Sequence, residues 1–320
     1  MVAQRLTLAA KAAELLSAGQ LVAIPTETVY GLAANGLNDQ AVARIFEAKN
    51  RPFFDPLILH VASIAQAKSL CQTWPDEAEK LSQAFWPGPL TLVLPKSDEV
   101  PNIVSSDLPS VGLRMPQHAL ALALLNQLEF PLAAPSANPF GYVSPTTAEH
   151  VLDQLGDRIE AVLDGGPCEV GIESTIVKWD ESGLHLLRLG AITKEQIEAV
   201  VGPISVSGSV QQHIQAPGQL EQHYSPHCKI TLLEPGETVP GSVREEALVY
   251  FDKSKNYASD RENVYFLTNQ GAVTEAAAAV FSMLRNLDKW GHSHAYIEMA
   301  PKHGLGLAIN DRLKRAAAKR

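Results

Sequence analysis

Three cysteines in 320 residues, Cys71, Cys168 and Cys228, are too few and too widely spaced for a disulfide framework, and their odd number argues against one. Long hydrophobic runs are missing too: no apolar stretch approaches the roughly 20 residues of a membrane-crossing helix. Between Ala3 and Ala13, Gln, Arg, Thr and Lys interrupt the apolar residues, so the basic-then-apolar order of a signal peptide is absent. A cytosolic protein is expected. Positive charge is in deficit, with 26 Lys and Arg against 35 Asp and Glu and a formal net charge of −9. Proteins that grip structured RNA by its phosphates carry a basic face. Here an anionic ligand must be held by a few placed cations, helped by a metal ion, which favours a nucleotide over a polynucleotide. The common phosphate loops are lacking as well. There is no G-x-x-x-x-G-K-[ST], and H-G-L-G-L-A at His303–Ala308 does not have the dinucleotide spacing.

What is present is enough apolar sequence for a large core: 46% hydrophobic against 19% charged, sufficient for one large domain or two ordinary ones. The first two-thirds alternates helix and strand signals. A helical period runs from Leu6 to Leu16, and Gly19 follows it. Leu21–Ile24, Leu57–Val61, Thr91–Leu94, Pro131–Ala134, Val162–Gly166 and Ile172–Trp179 read as strands. Asn38 caps a helix to about Lys49, and Pro52 stops any extension. Further helices are predicted over Pro75–Phe85 and His118–Leu128, and Thr193 with Gln196 forms a capping box for another ending near Val201. Residues 203–228, with Pro203, Pro217 and Pro226 among Ser, Gly and Gln, have linker composition. Beyond Lys229 a second alternating pattern begins, with helices over Thr274–Leu287 and Gly306–Lys319. The expected domains are 1–202, a linker 203–228, and a small α/β domain 229–320.

Several short segments hold the chemistry-bearing residues. L-V-A-I-P-T-E-T-V-Y-G-L at Leu21–Leu32 is a buried strand that stops at Pro25 and turns through threonines and a glutamate. Ligands of open α/β sheets sit beyond such strand ends. In K-N-R-P at Lys49–Pro52 two cations stand two residues apart at a helix end, on what reads as an extended segment. They form either a phosphate clamp or a solvated helix end complementing the dipole. V-G-L-R-M-P at Val111–Pro116 offers Arg114, whose planar guanidinium suits a carboxylate. His60, inside L-I-L-H-V, is a core histidine or a substrate contact. In A-A-P-S-A-N, Ser136 and Asn138 make either an ordinary turn or a close approach for a base or phosphate. Ser144 in Y-V-S-P-T-T is a helix cap, a ligand contact or both, and Tyr224 in Q-H-Y-S-P-H is a surface aromatic or a lid residue. Arg188 alternates with leucines, so it projects opposite to them. His223, His227 and Cys228 are weak zinc candidates, since Pro226 breaks the helix an i, i+4 pair needs and no second ligand pair follows.

Together these motifs resemble the YrdC/Sua5 family, the threonylcarbamoyl-adenylate synthases of tRNA modification, in its long two-domain form. The resemblance runs from about residue 8 to the C-terminus. It implies a twisted mixed α/β sheet with a concave cleft, followed by a smaller Rossmann-like domain. It also implies a reaction in which L-threonine, bicarbonate and ATP give L-threonylcarbamoyl-AMP and pyrophosphate, with Mg²⁺ arriving on ATP and no protein-only metal site. Carried over residue by residue, Thr28, His60, Arg114, Ala134 and Ser174 would contact L-threonine. Lys49, Arg51, Asp55, Ser110, Ser136, Asn138, Ser144, Arg188 and Tyr224 would contact ATP, the linker folding over the site. Asp55 departs from the pattern, since many relatives carry Asn there, and suits the ribose or a metal equally. No general base is singled out. The product would pass to a separate tRNA-modifying transferase complex, without strong tRNA binding by this chain. Two other readings remain: a carbamoyl-adenylate-forming carbamoyltransferase, whose usual extra modules are not seen here, and an RNA-binding or ribosome-maturation protein.

Overall fold

A computed structural model of the chain describes residues 2–180, 183–206, 217–218, 224–237, 239, 246–255 and 262–318. These divide into two compact units. The first comprises Met1–Phe140, Ser144–Glu169 and Glu173–Leu220, the second Gly141–Val143, Val170–Ile172 and Glu221–Arg320. The division falls inside the segment read as a linker, and most of 203–223 lies outside the described residues. No helix among the described residues is long and apolar enough to cross a membrane.

The first unit is built on an 11-stranded mixed sheet. Its strands run in the order Gln4–Leu6, Ala161–Leu163, Val22–Ile24, Gly31–Asn35, Leu132–Ala133, Ile58–His60, Ser110–Arg114, Leu90–Pro95, Thr175–Asp180, Gly183–Arg188 and Ser205–Val206. The helix expected from Leu6 starts instead at Ala9, because Gln4–Leu6 pairs in parallel with Ala161–Leu163. The strand expected from Ile172 starts at Thr175, since Val170–Ile172 belongs with the other unit. Asn38 caps the helix Asp39–Lys49 by accepting from Ala41 N. The capping box of Thr193 and Gln196 opens the helix Lys194–Val201.

Period-two alternation assigns the sheet's two faces. Leu59, Leu92, Leu113 and Val177 join the main core cluster, with Ile45 and Phe46 of Asp39–Lys49, Leu81 of Asp76–Phe85, Val151 of Ala148–Leu155 and Ile197 of Lys194–Val201. A second cluster, with Leu16 and Leu124 from two helices, covers the other face around Val22, Ala33, Leu132 and Ala161. Over the middle strands, the apolar residues of that other face form a small cluster of Ile58, Val93 and Ile176 among the described residues.

The second unit is an all-parallel sheet in the order Lys229–Leu233, His294–Glu298, Ala247–Asp252, Val264–Thr268, with the helices Val273–Lys289 and Leu305–Ala317. Gly171, at φ +75°, is required there: a Cβ would stand 2.4 Å from Ala278 Cα.

Candidate active site

The strand register sets one row of buried side chains on this second face of the first unit's sheet. His60 pairs with Arg114 and Ile58 with Gly112, Val93 with Gly112, Thr91 with Ile176, and Ile176 with Arg188. A Cβ on Gly112 would stand 3.3 Å from both Ile58 Cγ1 and Thr91 Cγ2, so glycine keeps the middle of this face low. Simple alternation would set both leucine neighbours of Arg188 on the opposite face. The register instead shifts between Leu186 and Arg188, and Leu187 packs with the Ile58 cluster on the same face as Arg188.

Three loops converge above this face, held by backbone bonds. Leu32 N donates to Pro135 O at 2.7 Å, Ala137 N to Tyr30 O at 2.8 Å, and Tyr30 N to Pro145 O at 2.8 Å. A Cβ on Gly31 would meet that of Ala134 at 3.2 Å, which fixes how closely P-T-E-T-V-Y-G lies on A-A-P-S-A-N. The Lys49 ammonium completes the junction, donating to the carbonyls of Ser136 and Asn138. Lys49 and Arg51 are buried, so they are not a solvated helix end. Nor is the segment extended: Lys49 ends the helix and Asn50 turns it in the left-handed region at φ 50°.

Arg51 is ion-paired to Asp55 at 2.9 Å and donates through Nη2 to Pro56 O at 2.9 Å. Burial, then the nearby Arg51 charge, hold the Lys49 ammonium well below the usual lysine range. Burial raises the Asp55 carboxyl, opposed by Arg51, Lys49 and Arg188 in that order, so these four charged groups share one locality. Arg188 donates to Ser174 O through Nε and Nη2 at 3.1 and 3.0 Å, to Ser174 Oγ at 3.1 Å and to Pro217 O at 2.9 Å. Ser174 Oγ also meets Thr91 Oγ1 at 2.8 Å.

At the Arg114 end, the guanidinium forms a buried ion pair with Glu27 at 2.7 Å. Thr28 Oγ1 lies 2.8 Å from Thr26 Oγ1, which itself donates to Val29 O, so Thr28 is the donor of the pair. His60 is buried and its Nδ1 has no hydrogen-bond partner among the described residues. Burial first, then the Arg114 charge, push its pKa down to about 3, leaving a neutral imidazole. Cys168 shares this locality, feeling both Glu27 and Arg114, and burial pushes its thiol up to about 12.

The remaining sequence-derived residues divide. Ser144 is not a helix cap, because Thr147 caps Ala148–Leu155; its hydroxyl donates to Glu173 Oε1 at 2.7 Å instead. Ser110, first residue of its strand, is four residues and about 13 Å from Arg114. It lines a cavity of about 620 Å³ with Pro95, Lys96 and Lys178. Tyr224 belongs to the second unit, buried at φ 62° and stacked on Phe281 with ring centroids 5.2 Å apart. His223 lies outside the described residues, and no group of three or more His, Cys, Asp or Glu among them is placed to hold a metal ion. Sequence reasoning missed Glu27, Thr91 and Glu173. The signals were a lone carboxylate between two threonines, a polar residue in an apolar strand, and a glutamate beside Ser174.

Residues 14–190 match the family model described as telomere recombination, that of the Sua5, YciO and YrdC proteins. Residues 192–318 match the threonylcarbamoyl-AMP synthase C-terminal domain. The chain belongs to the Sua5 family. This Sua5 protein is 42% identical to the threonylcarbamoyl-AMP synthase of Pyrococcus abyssi, over 97% of this chain and 94% of that one. Against the Bacillus subtilis threonylcarbamoyl-AMP synthase the identity is 41%, over 97% and 93%. The crystal structure of P. abyssi Sua5 complexed with L-threonine matches with a TM-score of 0.90 at 38% identity, over 99% of this chain and 98% of that one. Escherichia coli YciO shares the fold over 59% of this chain and 96% of its own, with a TM-score of 0.53 at 20% identity.

The neutral His60 of this Sua5 protein has a measurable consequence. Between pH 6.5 and about 3 the unfolded chain binds a proton on this imidazole that the folded chain does not, so stability falls as pH drops through that window. From about pH 7 to about pH 4 this group removes about 3 kcal/mol. Urea unfolding of His60→Asn at the two pH values should show a correspondingly smaller loss than the unaltered protein.

Proposed function

We infer that this Sua5 protein is a threonylcarbamoyl-AMP synthase, condensing L-threonine, bicarbonate and ATP to L-threonylcarbamoyl-AMP and pyrophosphate. One stretch of sheet supports both halves of that chemistry. His60 and Arg114 lie side by side on neighbouring strands, both buried. The buried Lys49, Arg51, Asp55 and Arg188 share one locality, Asp55 being five residues before His60 and so at most about 18 Å from it.

Arg114 takes the threonine carboxylate, with Thr28, His60, Ala134 and Ser174 around the rest of the amino acid. Threonine and bicarbonate give the carbamate, whose oxygen attacks the α-phosphorus of ATP while the bond to pyrophosphate breaks. Positioning and charge neutralisation suffice for that step. Lys49 and Arg51 neutralise the phosphates. Ser110, Ser136, Asn138, Ser144 and Arg188 hold the nucleotide on a catalytic domain 1–202, followed by the linker 203–228 and the C-terminal domain. Asp55, ion-paired to Arg51 at 2.9 Å, suits the ribose or Mg²⁺ arriving on ATP equally. The ion would supply charge neutralisation at the phosphates. The product is consumed by a separate transferase acting on tRNA adenosine beside the anticodon, and the cytoplasm is the fitting compartment.

The test is pyrophosphate release from ATP with and without L-threonine and bicarbonate. Release is expected to require both. Release independent of threonine, or none with active ATP and Mg²⁺ controls, would overturn the reading and make carbamoyl phosphate, then RNA, the next ligands to try.

A further inference from the structure

We propose that Glu27 receives the ammonium group of threonine beside Arg114 and takes the proton that must leave it before nitrogen can be carboxylated. The proposal rests on the synthase function above and assigns the base that the sequence does not reveal. Glu27 follows the strand Val22–Ile24 by three residues, in the turn that brings Thr28 to the site, and its side chain is buried. Oε1 lies 2.7 Å from Arg114 Nη2, yet neither carboxylate oxygen makes a hydrogen bond. A buried carboxylate with unused lone pairs is costly unless something fills them. An α-amino acid carries its ammonium and carboxylate on one carbon, so a guanidinium holding the carboxylate brings the ammonium within reach of the guanidinium's neighbours. Those neighbours are Glu27, the His60 imidazole and the Cys168 thiol. The imidazole is held neutral with little basicity, and the thiol stays protonated. Glu27 alone among them offers a negative charge and a free lone pair.

The proton balance closes. An N–H bond of the ammonium breaks and its proton goes to a Glu27 oxygen. Glu27 passes that proton to the hydroxyl of bicarbonate, which leaves as water and frees carbon dioxide. The nitrogen lone pair forms the new N–C bond while a C=O electron pair moves to oxygen. The carboxylated nitrogen then gives a second proton to Glu27, which releases it to solvent. Ammonium plus bicarbonate thus become carbamate, water and one proton. The later attack on ATP needs no base, because the carbamate is already an anion.

Glu27→Gln keeps the size of the side chain and removes the base. Two rates of the purified full-length protein decide the matter: forward pyrophosphate release from threonine, bicarbonate and ATP, and reverse ATP formation from threonylcarbamoyl-AMP and pyrophosphate. The reverse rate reads the phosphorus step without any carboxylation. Forward turnover should fall at least about 100-fold while the reverse rate stays within a few-fold of the unaltered protein. Glu27→Asp, which keeps a carboxylate, should recover part of the forward rate and serves as the probe if the Gln variant does not fold. Equal loss in both directions would assign Glu27 a structural role and overturn the proposal, as would unaltered forward turnover in Glu27→Gln or no forward turnover in a folded Glu27→Asp. Absence of threonine-dependent product from the unaltered protein would overturn the function itself, and the proposal with it.

Discussion

Arg114→Ala should lose about 10²–10³-fold in kcat/KM for threonine and about 3–5 kcal/mol of stability. Both losses come from one buried pair. The guanidinium lies 2.7 Å from Glu27, and both side chains are about 95% removed from solvent. Deleting the arginine removes the group that would hold the substrate carboxylate and strands the Glu27 charge. Of the two costs, the stranded carboxylate dominates stability, because the pair's own attraction is largely offset by the desolvation of its members. A double-mutant cycle separates them. Arg114→Met combined with Glu27→Gln should unfold in urea nearer to the unaltered protein than Arg114→Met alone does, while remaining inactive. Additive destabilisation in that cycle would mean the two side chains do not interact.

Lys49→Met should reduce ATP-dependent turnover by about 10²–10³-fold, for a different physical reason. The Lys49 ammonium is shared between two backbone carbonyls, those of Ser136 and Asn138, and a triphosphate would be its first full negative charge besides Asp55. Burial and the neighbouring Arg51 hold its pKa well below the usual lysine value in the free protein. A bound phosphate favours the protonated form and raises it again. ATP binding therefore takes up a proton at pH above the lowered pKa, and affinity declines as pH rises through it. Titration calorimetry in two buffers of different ionisation heat should show this uptake in the unaltered protein and not in Lys49→Met. Met leaves both carbonyls without their donor, so folding must be checked alongside. Identical proton uptake in the two proteins would assign it to another group.

Much of the fold follows from local rules. Asn38 and the Thr193–Gln196 box announce their helices through side chains that satisfy the first free amides, and the structure has both caps. Buried strands such as Leu90–Pro95 show themselves as short apolar runs. Harder to read were elements defined by partners far along the chain. Gly31–Asn35 is a strand because it pairs with Val22–Ile24 and Leu132–Ala133, and its G-L-A-A-N carries no alternation. His294–Glu298 is likewise a strand because it sits between two parallel neighbours.

The site shows the same division. Residue types suited to anions, Lys49, Arg51 and Arg114, were visible in the motifs. Their geometry was not, because it depends on the left-handed turn at Asn50 and on the pairing of Ile58–His60 with Ser110–Arg114. The bulge beside Arg188 and the Glu27 pair are likewise products of tertiary register.

The most direct test of the synthase function is mass spectrometry of the nucleotide product formed from L-threonine, ATP and isotopically labelled bicarbonate. A threonine–carbonyl–AMP adduct carrying the label in its carbonyl is the predicted result. AMP or ADP without a labelled threonine adduct would contradict it.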